Sequence, residues 1–343
     1  MGQHSPPGYS PWWGEAVSWL VTGGAGYIGS HVADAMLRAG FDVVTVDDLS
    51  TGKESFVPPG ATFVEGTVDD PTVMAGIFTD HTIDGVIHLA GYKFAGLSVE
   101  NPLQAYRRNT LATVVLLEAM VAHGTPPMIF SSSCSVYGDT GSARVDEGFP
   151  LTPASPYGRS KLASELIIRN VGHSHGLVHT SLRYFNVIGT RLNTVWDLSN
   201  QNIVPSVHDA LLAGQTPRIN GVDYDTPDGT CVRDYVDVGE LADAHVAAAK
   251  RAIDGLALQP AYNLGSEQGA SVKDVIETSL AIAGIDSEPE LGPRRPGDPA
   301  SIIATSGLAA KELGWSPTLT LQDMITADWA VRSTHHTASS RQN

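Results

Sequence analysis

Apolar positions in the first half of the chain fall into short, nearly continuous runs, separated by longer stretches with a helical repeat. The short runs are "AVSWLVT", "DVVTVD", "ATFVEG", "DGVIHLA" and "PMIFSSS", whereas "SHVADAMLRAG" and "NTLATVVLLEAMVAHG" carry apolar residues three and four apart. Strands that are apolar on both faces and alternate with helices indicate a parallel sheet covered on both sides. The first half is therefore expected to be α/β, with a doubly wound parallel sheet.

After Asn186 the alternation degrades. Loop-rich segments between Val187 and Asp228 flank one amphipathic helix near "VPSVHDALLAG", and a strand "AYNLG", a helix "SVKDVIETSLAIAG" and the basic segment "GPRRPGDPA" follow. Long irregular insertions in a compact enzyme tend to be binding loops. A smaller α+β carboxyl-terminal substrate lobe is expected from them. The expected division is an amino-terminal extension at 1–16, a dinucleotide-type sheet domain at 17–186, and a lobe from 187–231 and 263–301. Residues 232–262 and parts of 302–330 return to the first domain, and 334–343 form a flexible tail.

Composition narrows the function classes. The 343 residues carry 37 acidic and 21 basic side chains, a formal charge of -16, which opposes a surface that tracks a phosphate backbone. Nucleic acid is not an expected partner. The two cysteines, Cys134 and Cys231, lack a zinc or Cys-x-x-Cys spacing, so neither a metal nor a disulfide framework is expected, and a reducing cytoplasm fits best. "MGQHSPPGYSPWWGEAV" lacks the basic and apolar regions of a secretory signal. Trp12 and Trp13 within it are expected to be loose, or else packed on the body or a neighbouring subunit. No apolar run is long enough to span a bilayer, so no membrane partner is expected.

Candidate chemistry begins at "LVTGGAGYIGSHVA". Gly23, Gly26 and Gly29 are spaced Gly-x-x-Gly-x-x-Gly between a strand and a helix. Glycine is needed there because the backbone must turn tightly and approach a pyrophosphate, whose charge sits at the helix start. Asp47, at the end of the next strand, is placed to accept from ribose hydroxyls and would repel a 2′-phosphate. NAD rather than NADP is the expected cofactor. The bland alternative is a structural glycine turn beside the solvated acids Asp47 and Asp48.

A second candidate lies in "SPYGRSKLASE". On a helix Tyr157 and Lys161 are i and i+4 and share a face, so the ammonium is expected to lower the phenol from its free value of about 10. Chance pairs of this kind are common on helices. The strand end "IFSSSCSVYG" upstream strengthens the functional reading, since Ser133 there would reach the substrate oxygen that Tyr157 deprotonates. Ser131 and Ser132 rank below it, as groups that satisfy the strand end.

Taken in order, "VTGGAGYIGSH", "VIHLAGYK", "FSSSCSVYG", "SPYGRSK", "LRYFNVIG", "TPDGTCVRDYVDV", "YNLGS" and "PRRPGD" resemble the UDP-glucose/UDP-galactose 4-epimerases of the extended short-chain dehydrogenase/reductase family, over Val17 to about Trp329. The resemblance implies a Rossmann domain and a catalytic trio of Ser133, Tyr157 and Lys161. It also implies NAD contacts from Gly23, Gly26, Tyr27, Ile28, Gly29, Asp47, Asp48, Leu49, Thr67, Val68, Leu89, Ala90, Gly91, Lys93, Asn109, Ser131 and Tyr184, together with Tyr157 and Lys161. The UDP-sugar would be held by Lys93, Ser133, Tyr157, Asn186, Asn202, Ile203, Asn220, Arg233, Arg295 and Asp298. Arginine forks suit a diphosphate and a carboxylate suits a ribose diol. For Arg233 the residues alone also allow a salt bridge to Asp234 or Asp237.

The resemblance further implies that the tyrosinate takes the 4-hydroxyl proton while hydride passes from sugar C4 to NAD. The 4-keto sugar then turns about its diphosphate and is reduced on its other face, so NAD is retained. A homodimer through helices near Pro102 to His123 and Ser155 to Gly172 is implied as well. Departures from the family pattern are Thr67-Val68 near the adenine, Val187, Asn220 in place of an aromatic, Asp225, Asp237, and Ile302 at the position expected to set the sugar pocket's width. They leave open a 4-epimerase of another nucleotide sugar, such as a UDP-N-acetylhexosamine, a UDP-uronic acid or an unusual nucleoside-linked sugar. A dehydratase is disfavoured by Cys134 and Ser135 where an acidic pair would be needed, and a non-catalytic NAD-binding regulator by the intact trio.

Overall fold

Seven parallel strands form the central sheet of the computed structural model, which describes residues 17–141, 144–295 and 299–340. From edge to edge the strands are Ala261–Leu264, His179–Tyr184, Met128–Ser133, Gly85–His88, Ser18–Thr22, Asp42–Asp47 and Thr62–Glu65. Side chains alternate between the faces, as the two-residue period of a strand requires. Trp19, Val21, Ile87, Ile129 and Leu182 pack under helices Tyr27–Arg38 and Val238–Ile253. Leu20, Val86, Met128 and Phe130 pack on the other face, against Met74, Leu116, Met120 and Ile168. Each such buried side chain contributes about 1.5–3 kcal/mol.

Sheet order creates the site. The chain leaves Ser18–Thr22 towards the Thr62–Glu65 edge, then crosses back to place Gly85–His88 on the opposite side of the first strand. Connections beyond the carboxyl ends of these two strands diverge, which opens the crevice where such folds bind dinucleotides.

Short strand pairs and three helices make up the second layer of the molecule. Val232–Arg233 lies between Ala270–Ser271 and Ser301–Ala304, Arg218–Asn220 pairs with Glu290–Gly292, and Asn186–Ile188 pairs with Tyr235–Asp237. Ile188, Val204, Val275, Met324 and Ile325 form a shared core between helices Ile203–Leu212, Val272–Ala283 and Leu321–Ser340. Helix Gly307–Leu313 and Trp315 return to the first domain, with Ala309 and Trp315 in its core. Helix Leu321–Ser340 extends into the expected tail and is held on the second layer by Ile325 and Arg332. Trp12, Trp13 and the rest of the amino-terminal extension lie outside the described residues. No helix among the described residues is long and apolar enough to cross a membrane.

Candidate active site

The glycine loop closes on the strand that follows the crossover. Gly23 has φ +73°, and a Cβ on Gly29 would stand 1.9 Å from the Gly23 carbonyl oxygen, so the helix can start only where Gly29 lacks a side chain. Helix Tyr27–Arg38 begins after an extended Gly26, and Gly23, Gly26, Tyr27, Ile28 and Gly29 all line the crevice. Asp47 ends its strand buried. Its carboxylate accepts from Ala25 N at 3.0 Å and Leu49 N at 2.9 Å, and burial raises its pKa against these bonds. A bent, amide-rich cradle beside such an acid has the shape and donors that suit a dinucleotide.

Asp48 lines the crevice too, although its Oδ2 accepts from Arg108 Nη1 at 2.7 Å. Burial opposes its ionisation, but hydrogen bonds from Ser50 and the Arg108 ion pair outweigh that and hold the carboxyl below its usual range. Arg108 Nη1 also donates to Thr67 Oγ1 at 3.1 Å, and Thr67 donates to Asp69. Neither Arg108 nor Asp69 was singled out by its sequence context, because only the turn of a π-helix over Tyr106–Leu111 brings that arginine to the far strand end.

Serines at the end of the Met128–Ser133 strand divide by parity. Ser131 and Ser133 face the crevice, whereas Ser132 points the other way and donates to Glu165 at 2.5 Å. Glu165 in turn receives Arg183 through two bonds of 3.0 and 2.6 Å, a buried ion pair that ties its helix to the neighbouring His179–Tyr184 strand. That helix, Pro156–His175, starts on a standard signal. Ser155 caps it by accepting from Gly158 N at 3.1 Å, Pro156 occupies the first turn, and Tyr157 and Lys161 follow one turn apart. A Cβ on Gly158 would lie 2.4 Å from the Ser135 carbonyl, so glycine permits the close approach that sets Tyr157 against the serine turn.

Electrostatics at the pair differ from the expectation. Lys161 Nζ donates to the Ser131 carbonyl at 2.9 Å and lies 5.1 Å from the Phe130 ring centre; burial lowers its pKa to about 8, against the opposing pull of Glu165. The Tyr157 phenol is raised, not lowered. Burial is the main cause and the neighbouring Tyr184 phenol adds to it, while a hydrogen bond from Ser133 opposes both. Tyr184 pairs with Ser131 and is itself pushed up to about 12 by burial. Helical spacing alone could not show this, because desolvation depends on what the sheet and the crevice wall place around the ring.

One cavity of about 1210 Å³ joins this centre to the second layer. Thr67, Val68, Leu89, Ala90, Gly91 and Lys93 line it on the dinucleotide side; Asn186, Asn202, Ile203, Asn220, Arg233 and Arg295 line it on the other. Arg233 Nη1 donates to the carbonyls of Val232 and Pro299 at 2.9 and 2.8 Å. Asp234, the first alternative partner, accepts from Ser266, Glu267 N and Ala304 N, and Asp237 caps helix Val238–Ile253 through Gly239 N and Glu240 N. The cap explains an acid at 237. Asn220 Oδ1, in the amide orientation that satisfies both groups, accepts from Arg295 Nη2 and Nε at 3.2 Å each. Arg294 turns outward to Asp223 and stacks on Tyr224 at 4.2 Å.

Three expected positions stand apart from the cavity wall, and a fourth lies outside the described residues. Leu49 and Asn109 are not in the cavity wall. Leu49 turns the chain at φ 55° so that its amide reaches Asp47. Asn109 is buried behind the wall, accepting from Tyr92 N at 2.7 Å and donating to Ser160 Oγ at 2.8 Å. Ile302 packs with Val136, Tyr137 and Phe185 rather than lining the cavity, because its place on the Ser301–Ala304 strand turns it into that core. Asp298 lies outside the described residues.

A Rossmann sheet whose crevice holds a Ser-Tyr-Lys centre between a dinucleotide cradle and an arginine-rich second wall defines a short-chain dehydrogenase/reductase-type enzyme. Residues 19–265 match the family described as NAD dependent epimerase/dehydratase, and the chain belongs to that family, with NAD as its cofactor. It is 40% identical over 306 residues, 87% of this chain and 86% of the other, to a UDP-glucose 4-epimerase of Azospirillum brasilense. The structure is similar to that of a Bifidobacterium longum UDP-glucose 4-epimerase in complex with NAD+ and UDP, at TM-score 0.86 and 35% identity, covering 93% of this chain and 98% of that one. It is also similar to a Stenotrophomonas maltophila UDP-glucose-4-epimerase with bound NAD and formylated UDP-arabinopyranose, at TM-score 0.88 and 33% identity, covering 96% and 100%.

Proposed function

We propose that this protein is a nucleotide-sugar 4-epimerase that interconverts UDP-glucose and UDP-galactose and keeps its NAD through the cycle. The observation that carries the reading is the single cavity in which Ser133, Tyr157 and Lys161 stand between the glycine cradle and the wall of Asn186, Asn202, Arg233 and Arg295. NAD supplies a hydride acceptor and donor and, in its oxidised form, a positive charge. Tyr157 takes and returns the proton of the sugar 4-hydroxyl, Ser133 holds the same oxygen, and Lys161 favours the phenolate from the strand side. Arg233 and Arg295 grip the diphosphate, so the sugar can turn while the nucleotide stays fixed.

A dehydratase needs a further acid and base beside the sugar. The cavity offers Cys134, whose thiol burial pushes up to about 12, and Ser135. Neither is the carboxyl group that such an elimination would use. Incubating the protein with a panel of UDP-sugars, without added NAD, and reading the C4 configuration by NMR tests the proposal. Conversion of UDP-glucose is expected; turnover of another UDP-sugar alone would move the reading to that sugar, and no C4 inversion in any would end it.

The reading includes a homodimer and a reducing cytoplasm. Both cysteines are free. Leu97, Val99, Leu103, Tyr106, Leu111 and Leu166 are exposed on the helical segments before and after Asn109 and on the catalytic helix, with Leu103 82% accessible. An apolar face of this kind suits a second copy packed helix to helix. Leu103→Glu is expected to give a monomer by light scattering where the wild type is dimeric.

A further inference from the structure

We infer that Asp197 is a positioning residue for the nucleotide-sugar half of the site, one that holds Lys93 and Asn202 at fixed places in the cavity wall. The inference rests on the reading of that half as a UDP-sugar site. Asp197 comes from the irregular stretch after Ile188 and is 3% exposed, yet it lines the cavity. Its Oδ1 accepts from Lys93 Nζ at 3.2 Å and from Ser199 N at 3.0 Å, and its Oδ2 accepts from Asn202 Nδ2 at 2.5 Å.

These bonds bring together residues from opposite sides of the cavity. Lys93 follows the fourth strand on the dinucleotide side, and its side chain is 40% exposed, so on its own it would sample many rotamers. An ammonium has three donors, and pairing one with a buried carboxylate aims the others. Asn202 stands at the cap of helix Ile203–Leu212 but makes no side-chain cap bond. A carboxylate only accepts, so the amide nitrogen must face Asp197 and the amide oxygen is turned elsewhere, which settles an orientation that an isolated asparagine leaves open.

The segment carrying Asp197 is fastened independently of its carboxylate. Arg332 Nη2 donates to the Asp197 carbonyl at 2.7 Å, and Arg332 is itself held by Asp328 and Asp209 at 3.1 and 2.8 Å. The neighbouring Trp196 packs on Phe56 and stacks on His335. Backbone and side chain therefore hold different partners, apart from the local bond that the carboxylate accepts from Ser199 N. The backbone anchors the loop, whereas the side chain faces the site and touches two residues expected to bind substrate.

Asp197→Asn keeps the side chain's size and leaves the Arg332 bond in place, while removing the charge that holds Lys93. In the purified NAD-bound protein, calorimetry with UDP is expected to show affinity weakened about 10-fold, and KM for the epimerised sugar raised to match, with kcat within about threefold and the unfolding midpoint unchanged within a few degrees. In a Lys93→Met background the same change is expected to weaken UDP binding by less than about threefold, since residues that act through one another are not additive. Unchanged UDP affinity and KM in Asp197→Asn, a full 10-fold loss added to that of Lys93→Met, or a joint fall of affinity, kcat and unfolding midpoint would each overturn the inference. Wild-type protein that bound no UDP would overturn the UDP-sugar reading as well, which separates the two failures.

Discussion

Replacing Tyr157 by Phe is expected to lower kcat about 10³-fold, the middle of the range for a positioned acid/base, while KM changes less than about threefold and the bound NAD is retained. The ring is buried in the cavity wall, so Phe keeps its packing and removes only the hydroxyl that bonds to Ser133. Burial raises the phenol above its usual value, so little of the base form exists in the free protein at neutral pH. Wild-type kcat/KM should therefore climb with pH through the neutral and into the alkaline range, and Tyr157→Phe should flatten that rise. Turnover of the variant within about tenfold of wild type, measured at saturating UDP-galactose, would remove Tyr157 from the chemistry.

Gly29→Ala is expected to abolish retained NAD and with it more than about 99% of the activity measured without added cofactor. A Cβ there would lie 1.9 Å from the Gly23 oxygen and 2.7 Å from its carbonyl carbon, which are backbone atoms with no rotamer in which to yield. The loop and the helix start must separate, and the amides that face the cofactor move with them. Overpacking of this kind costs about 1–3 kcal/mol of stability, which leaves a folded protein to assay. Absorbance and enzymatic assay of NAD released by heat would check it: a stoichiometric yield from the variant would show that this contact does not govern the cradle.

Much of the site could be read along the chain because its parts are local. The glycine spacing, the acid at the end of the second strand and the cap-proline-tyrosine start of the catalytic helix each need only a few neighbouring residues, and each occupies the expected place. Strand parity separates Ser133 from Ser132, which have different partners, whereas Ser131, ranked with Ser132 from its sequence, shares the crevice face with Ser133. Arg108, Asp69 and Asp197 had no such local signal. They stand in an irregular helix turn and in loops, where no period links side-chain direction to sequence position.

Ile302 and Asn109 stand off the cavity wall for a related reason. Motif position placed both at the ligand, but the twist of a short strand turns Ile302 into a separate core, and a buried hydrogen-bond pair holds Asn109 behind the wall. Tyr157 shows the limit for energetics. An i, i+4 lysine suggested a lowered phenol, whereas burial raises it and the Tyr184 phenol, from another strand, adds to the rise.

By itself the sequence determined the parallel sheet, the glycine turn at the first helix and the one-turn spacing of Tyr157 and Lys161, because periodicity and short-range sterics act within a strand, a turn or a helix. Tertiary structure alone decided which polar groups share the cavity, which charges neutralise one another and how far each proton is held, because those depend on desolvation and on contacts between segments as far apart as Lys93, Asp197 and Arg332.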